Sequence, residues 1–174
     1  QDHILESTLS EVEAIYRQTY QHNYPLMLAL AELNKPLPRA FLSTTEFILN
    51  SDLRRAITED TIDTKRVQEL LKISQMWKIE LDKEELSYLF QQALEKMMTK
   101  LMATPGTLSR LEGIMAAVEL ARSGYFAIDL WLVQNRYYQM LRNVYPEFRE
   151  RAEQGDEAAK KWAVQFSALG DKLS

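Results

Sequence analysis

The chain has 174 residues, 46% of them hydrophobic and 10% aromatic, which is enough to bury most of its apolar surface in one core. Its 21 basic and 25 acidic side chains give a net charge of -4, spread over short mixed-sign segments, so no basic face exists for a phosphate backbone and nucleic acid is disfavoured as a partner. The absence of cysteine removes disulfides, thiolate metal sites and a thiol nucleophile, and only 5 Gly and 5 Pro among abundant Leu, Ala, Glu, Gln, Lys and Arg point to an all-α fold.

From Asp2 to about Gln21, Leu5, Leu9, Val12, Ile15, Tyr16 and Tyr20 recur at three- and four-residue steps, with Glu6, Glu11, Glu13, Arg17 and Gln18 between them, which predicts an amphipathic first helix. Pro25 suits the first turn of a new or kinked helix, so "PLMLALAELN" is expected to form a short second helix ending at Asn34. Pro36 and Pro38 then force an extended connector. "RAFLSTTEFILNSDLRRAI" carries Phe41, Leu42, Phe47, Ile48, Leu49, Leu53 and Ile57 on a wide stripe and predicts a largely buried third helix ending near Thr58. Asp63 or Thr64 can cap a fourth helix bearing Val67, Leu70, Leu71 and Ile73. Asp82, with Glu85 three positions on, has the capping-box arrangement ahead of a fifth helix from Leu86 to Leu101, which stops at Pro105 and Gly106. A sixth helix runs from Leu108 or Leu111 to Ala121, with Gly124 placed as the residue just beyond its end. A seventh spans about Ile128 to Val144, and a last pair lies near 146–153 and 156–170, with Asp156 as N-cap of the second. No repeat, low-complexity tract or dividing linker is present, so the expectation is one helical domain over 1–174, an irregular bundle of about seven or eight helices whose short connections make neighbours mostly antiparallel.

Several chemistries have no residues to carry them. Only His3 and His22 occur, neither has a glutamate three positions earlier, and there is no His-Glu-x-x-His, Walker loop, Gly-x-Ser-x-Gly elbow or Gly-rich dinucleotide turn. No metal or cofactor is therefore expected, and this chain alone is read as non-catalytic. His3 is expected in solvent and His22 capping or packing beside Pro25. Most carboxylates alternate with basic residues on wet helical faces; Glu46 and Asp129 are the two expected to be half-buried and paired with an arginine. No apolar run approaches the roughly 20 residues of a membrane span, and a soluble, cytoplasmic chain is the expectation.

The stretch "DLWLVQNRYYQML" (129–141) concentrates polar and aromatic groups in an apolar helix. Leu130, Val133, Tyr137, Met140, Leu141 and Val144 fall on one face, while Trp131, Asn135, Tyr138 and Arg142 cluster on an adjoining one, with Gln134 between. Two accounts fit Asp129, Trp131, Gln134, Asn135 and Tyr138. In the simpler one the carboxamides and hydroxyls satisfy helix ends and loop carbonyls within the protein. In the other, an aromatic ring offers an apolar face to a pyranose and the carboxamides bond its hydroxyls, making an oligosaccharide site.

The runs "AFLSTTEFILNSDLRRAI" (40–57), "IDLWLVQNRYYQML" (128–141) and "GDEAAKKWAVQFSALGDKL" (155–173) resemble the C-terminal helical region, of unknown function, in proteins similar to glycoside hydrolase family 57. The likeness covers most of the chain from about Leu9 onward. It implies a helical accessory domain attached to an α-amylase- or α-mannosidase-like barrel whose catalytic carboxylates lie upstream, so the partner is that barrel and no catalytic residue falls on this chain. A start at Gln1 fits a domain excised from such a protein. An apolar docking patch is expected around "KPLPRAF" or Leu132. The alternative is a stand-alone helical protein–protein interaction module.

Overall fold

The computed structural model describes residues 2–174 and, among them, only helices: α1 (Asp2–Glu32), α2 (Arg39–Thr58), α3 (Thr64–Met76), α4 (Lys83–Ala103), α5 (Leu108–Arg122), α6 (Trp131–Asn143), α7 (Tyr145–Glu153) and α8 (Glu157–Leu173). They form two compact units, each assembled from two pieces of chain. One takes the residues up to Arg55 together with Lys65–Asp82, and the other takes Ala56–Thr64 with Lys83–Ser174.

In the first unit, α1 is a single helix of 31 residues that contains Pro25, where the sequence predicts two helices. A mid-helix proline loses one backbone hydrogen bond and clashes with the preceding turn, which costs about 3 kcal/mol. Packing on both sides of it outweighs that cost. Tyr20 and Tyr24 before Pro25, and Met27 and Leu28 after it, join one apolar cluster with Leu37, Phe41, Leu42, Ile73, Trp77 and Ile79. Both tyrosine rings meet Trp77 edge-on, with centroids 6.4 and 5.7 Å away. His22 is exposed rather than buried beside Pro25.

Both α1 and α3 end in the same way. Asn34 and Lys78 adopt left-handed backbone (φ 53° and 54°). The following residues close six-residue rings, Lys35 N–H to Leu30 C=O at 2.8 Å and Ile79 N–H to Ser74 C=O at 2.8 Å. This is the Schellman arrangement, which occupies carbonyls the helix leaves over. α2 spans the predicted residues, and both polar atoms of its one buried carboxamide have a partner. Asn50 Nδ2 donates to Glu46 C=O at 2.8 Å, and Asn50 Oδ1 accepts the Asp82 N–H at 2.9 Å.

The second unit is built on buried stripes: Leu86, Phe90, Leu94, Met98 and Leu101 on α4, Leu111, Ile114 and Val118 on α5, and Trp162, Phe166, Leu169 and Leu173 on α8. A file of stacked rings runs through it, with centroid separations of 4.0 Å for Phe148–Trp162, 4.8 Å for Trp162–Phe166 and 4.4 Å for Phe166–Tyr137. Trp162 keeps its one polar atom satisfied by donating Nε1–H to Pro105 C=O at 2.5 Å. α8 starts where predicted, the Asp156 carboxylate accepting the Ala159 N–H at 3.2 Å. Gly124 and Gly155 supply left-handed backbone just past α5 and α7. Among the described residues no helix is long and apolar enough to cross a membrane.

Candidate functional site

α6 begins at Trp131, three residues later than its periodicity suggests, because Asp129 turns the chain there. The Asp129 carboxylate accepts the Trp131 N–H at 2.9 Å, and the Asp129 N–H donates to Gln91 Oε1 on α4 at 3.1 Å. Asp129 and Glu46 are both exposed, contrary to the expectation that they are half-buried with an arginine; Asp129 serves as a cap instead. Gln134 donates from Nε2 to Leu173 C=O at 2.7 Å, capping the last turn of α8. Tyr137 donates its hydroxyl to Phe166 C=O at 3.0 Å, and burial pushes this phenol's pKa up. The Tyr137 ring lies so close to α8 that a Cβ on residue 170 would meet its Cζ at 2.8 Å and its Oη closer still, so only glycine fits at Gly170.

The five residues singled out in this stretch therefore divide. Asp129 and Gln134 hold helix ends. Trp131 and Tyr138 are 64% and 55% exposed, beyond the rim of the buried sector where helical phase puts them, and Asn135 is half-buried between them. Trp131, Asn135, Tyr138 and Arg142 thus form an open stripe on α6, with the carboxamide of Gln134 turned away to α8. Among the described residues no group of three or more His, Asp or Glu side chains is placed to hold a metal ion.

The larger unclothed surface lies on α1. Every residue from Asp2 to Val12 is exposed, and the apolar ones are not scattered. Leu5 (62% exposed), Leu9 (60%), Val12 and Tyr16 follow one another at steps of four, three and four, with Ile4 and Ile15 (65%) alongside. The periodicity identifies this helix but not what covers it; inside the first unit Tyr16 rests on Phe47, whereas Ile4, Leu5, Leu9 and Ile15 stay more than half exposed. At the predicted docking sites, Leu37 of "KPLPRAF" is buried with Met27 and Trp77 while Pro36, Pro38 and Ala40 beside it are exposed, and Leu132 is half-buried.

The exposed turns are held from their C-terminal end by an ionic cluster that sequence spacing does not disclose, because its partners are 35 to 42 positions apart. Arg17 bonds both oxygens of the nearly buried Asp52, at 2.6 and 3.3 Å. Glu13 Oε1 accepts from Arg55 at 2.7 Å, from Ser51 Oγ at 3.1 Å and from Arg17 at 3.2 Å. The Arg55 hydrogen bond, against the opposing effect of burial and with help from Arg17 and Ser51, lowers the Glu13 pKa. Tyr16 stacks obliquely on Phe47 at 4.9 Å, and burial together with the charges of Tyr24 and Asp52 pushes the Tyr20 phenol up to about 12.

Compared with protein-family models, with curated proteins and with solved structures, the chain matches none of them. The likeness to the family 57-like proteins accordingly rests on the three quoted phrases.

Proposed function

We propose that this chain is a non-catalytic helical accessory module that docks on another protein through the first four turns of α1. Its partner is the catalytic barrel of a glycoside hydrolase family 57-like enzyme, which it stabilises or whose cleft it shapes. The observation that carries the docking role is the exposed row Leu5, Leu9, Val12 and Tyr16, flanked by Ile4 and Ile15, on a helix whose ionic anchors to α2 begin at Glu13. Contiguous apolar surface of this kind is seldom left open on a protein that works alone. The identity of the partner is supported by the resemblance.

Two steps test it. The reading frame upstream of the codon for Gln1 is expected to encode a (β/α) barrel with paired acidic residues at strand ends; a start codon directly before Gln1 removes the enzyme and leaves a free-standing interaction module. That barrel, produced separately, is expected to bind the chain in trans, and Leu5→Glu with Leu9→Glu is expected to abolish binding without unfolding the chain. Undiminished binding by the double variant overturns the role of α1.

A further inference from the structure

We infer that the partner surface for α1 is an apolar groove rimmed by lysine and arginine, entered by the helix lengthwise. The inference rests on the docking role proposed above and adds the chemistry of what is docked against. At about 100° per residue, Ile4, Leu5, Thr8, Leu9, Val12, Ile15 and Tyr16 fill one sector of α1 roughly 140° wide. Asp2, Glu6 and Glu13 lie along one margin of that sector and Glu11 along the other, while Ser7, Ser10 and Ala14 occupy the back. No lysine or arginine occurs before Arg17. Asp2, Glu6 and Glu11 are exposed in the turns that project, and Glu13 is held by Arg55 and Arg17 at their base.

Charge selects among the occupants of such a face. A second copy of α1 set against the first brings acidic margins together with no cation in the exposed turns to offset them. An anionic lipid surface repels the same margins, and interfacial helices carry Lys and Arg there instead. A groove with apolar walls and cationic rims complements both features, in the helix-in-groove manner whose anchors recur at three- and four-residue steps. The projecting residues from Asp2 to Tyr16 make a rod on the order of 22 Å long, the span such a groove must offer.

The test uses the full chain and two synthetic 21-residue heptad peptides with leucine at both core positions, one carrying lysine and the other glutamate at all flanking positions. By fluorescence anisotropy, the Lys-rimmed peptide is expected to bind at least tenfold more tightly than the Glu-rimmed one, and to weaken as NaCl rises from 50 to 300 mM. Leu5→Asp with Leu9→Asp is expected to lose this binding although it makes the helix more acidic, which separates seating on the apolar row from attraction to net charge. Equal affinity for the two peptides, or binding retained by the double variant, overturns the inference. So does a concentration-dependent dimer that the double variant abolishes, or sedimentation of the chain with phosphatidylserine-containing vesicles. These outcomes are separable from failure of the accessory-module proposal: an absent upstream barrel leaves the peptide result standing, and a barrel that binds through α1 while the peptides fail to discriminate overturns only the cationic groove.

Discussion

Gly170→Ala tests how closely α6 and α8 approach in the second unit. In a helix interior this exchange ordinarily stabilises a protein by about 0.5–1 kcal/mol, because alanine has the higher helix propensity. Here the new Cβ would lie 2.8 Å from Tyr137 Cζ and nearer still to its Oη, inside the separation that side chains tolerate. The phenol must move, and it is fixed by its 3.0 Å hydrogen bond to Phe166 C=O and by stacking 4.4 Å from the Phe166 ring. Overpacking costs about 1–3 kcal/mol and the lost hydrogen bond about 1 kcal/mol. After subtracting the propensity gain, the variant is expected to be less stable by about 1–3 kcal/mol in urea denaturation. Introducing Gly170→Ala into a Tyr137→Phe background removes Oη but leaves the ring carbon, so part of the cost should disappear, with a coupling of about 0.5 kcal/mol or more. A Gly170→Ala chain that is more stable than the wild type, or two substitutions whose effects simply add, refutes the close approach.

The remaining predictions concern caps, charges and the α6 stripe. Lys78→Gly is expected to raise stability by about 0.5 kcal/mol, since the left-handed backbone at Lys78 strains a side chain by about 1–2 kcal/mol and glycine gives part of that back in unfolded-state entropy; urea midpoints check it. Glu13 has a folded pKa below its ordinary 4.5, so the stability it adds is complete above that pH and is lost as pH falls through the depressed folded value. The stability difference between wild type and Glu13→Gln should therefore be constant near neutrality and shrink in acid, as measured by urea titrations at a series of pH values. Gln134→Leu, which uncaps the Leu173 carbonyl, is expected to cost about 1 kcal/mol, whereas Trp131→Ala and Tyr138→Ala should each fall within about 0.5 kcal/mol of wild type by the same assay.

Local signals carried much of the helical architecture. α2 was legible end to end because its apolar stripe is wide and Pro38 and Thr58 bound it, and Asp156 announced α8 because an aspartate ahead of a periodic run has one common use. Pro25 misled, since its penalty is local whereas the Trp77 cluster that overrides it draws on residues far along the chain. The turns at Asn34 and Lys78 carry no glycine to mark them. The division into two units is silent in composition because the chain crosses it three times, first within α2 at Arg55 and Ala56 and again at Thr64 and Asp82, with no long linker at any of them. At the candidate site, phase put Gln134 at the edge of the buried sector but could not name Leu173 as its partner, and it gave no measure of how far Trp131 and Tyr138 stand in solvent. For α1 the pattern Leu5, Leu9, Val12, Tyr16 is the same whether the face is buried or open. Amphipathicity states that a helix has an apolar side, and only the three-dimensional arrangement states whether the chain itself supplies the cover.

The central claim is that α1 is the docking element, and amide hydrogen exchange across the full chain, with and without the separately produced barrel, tests it most directly. The account predicts that adding the barrel slows exchange from Ile4 to Tyr16 and leaves Trp131 to Arg142 unchanged. Protection confined to Trp131–Arg142, with the first turns of α1 exchanging as fast as before, would contradict it.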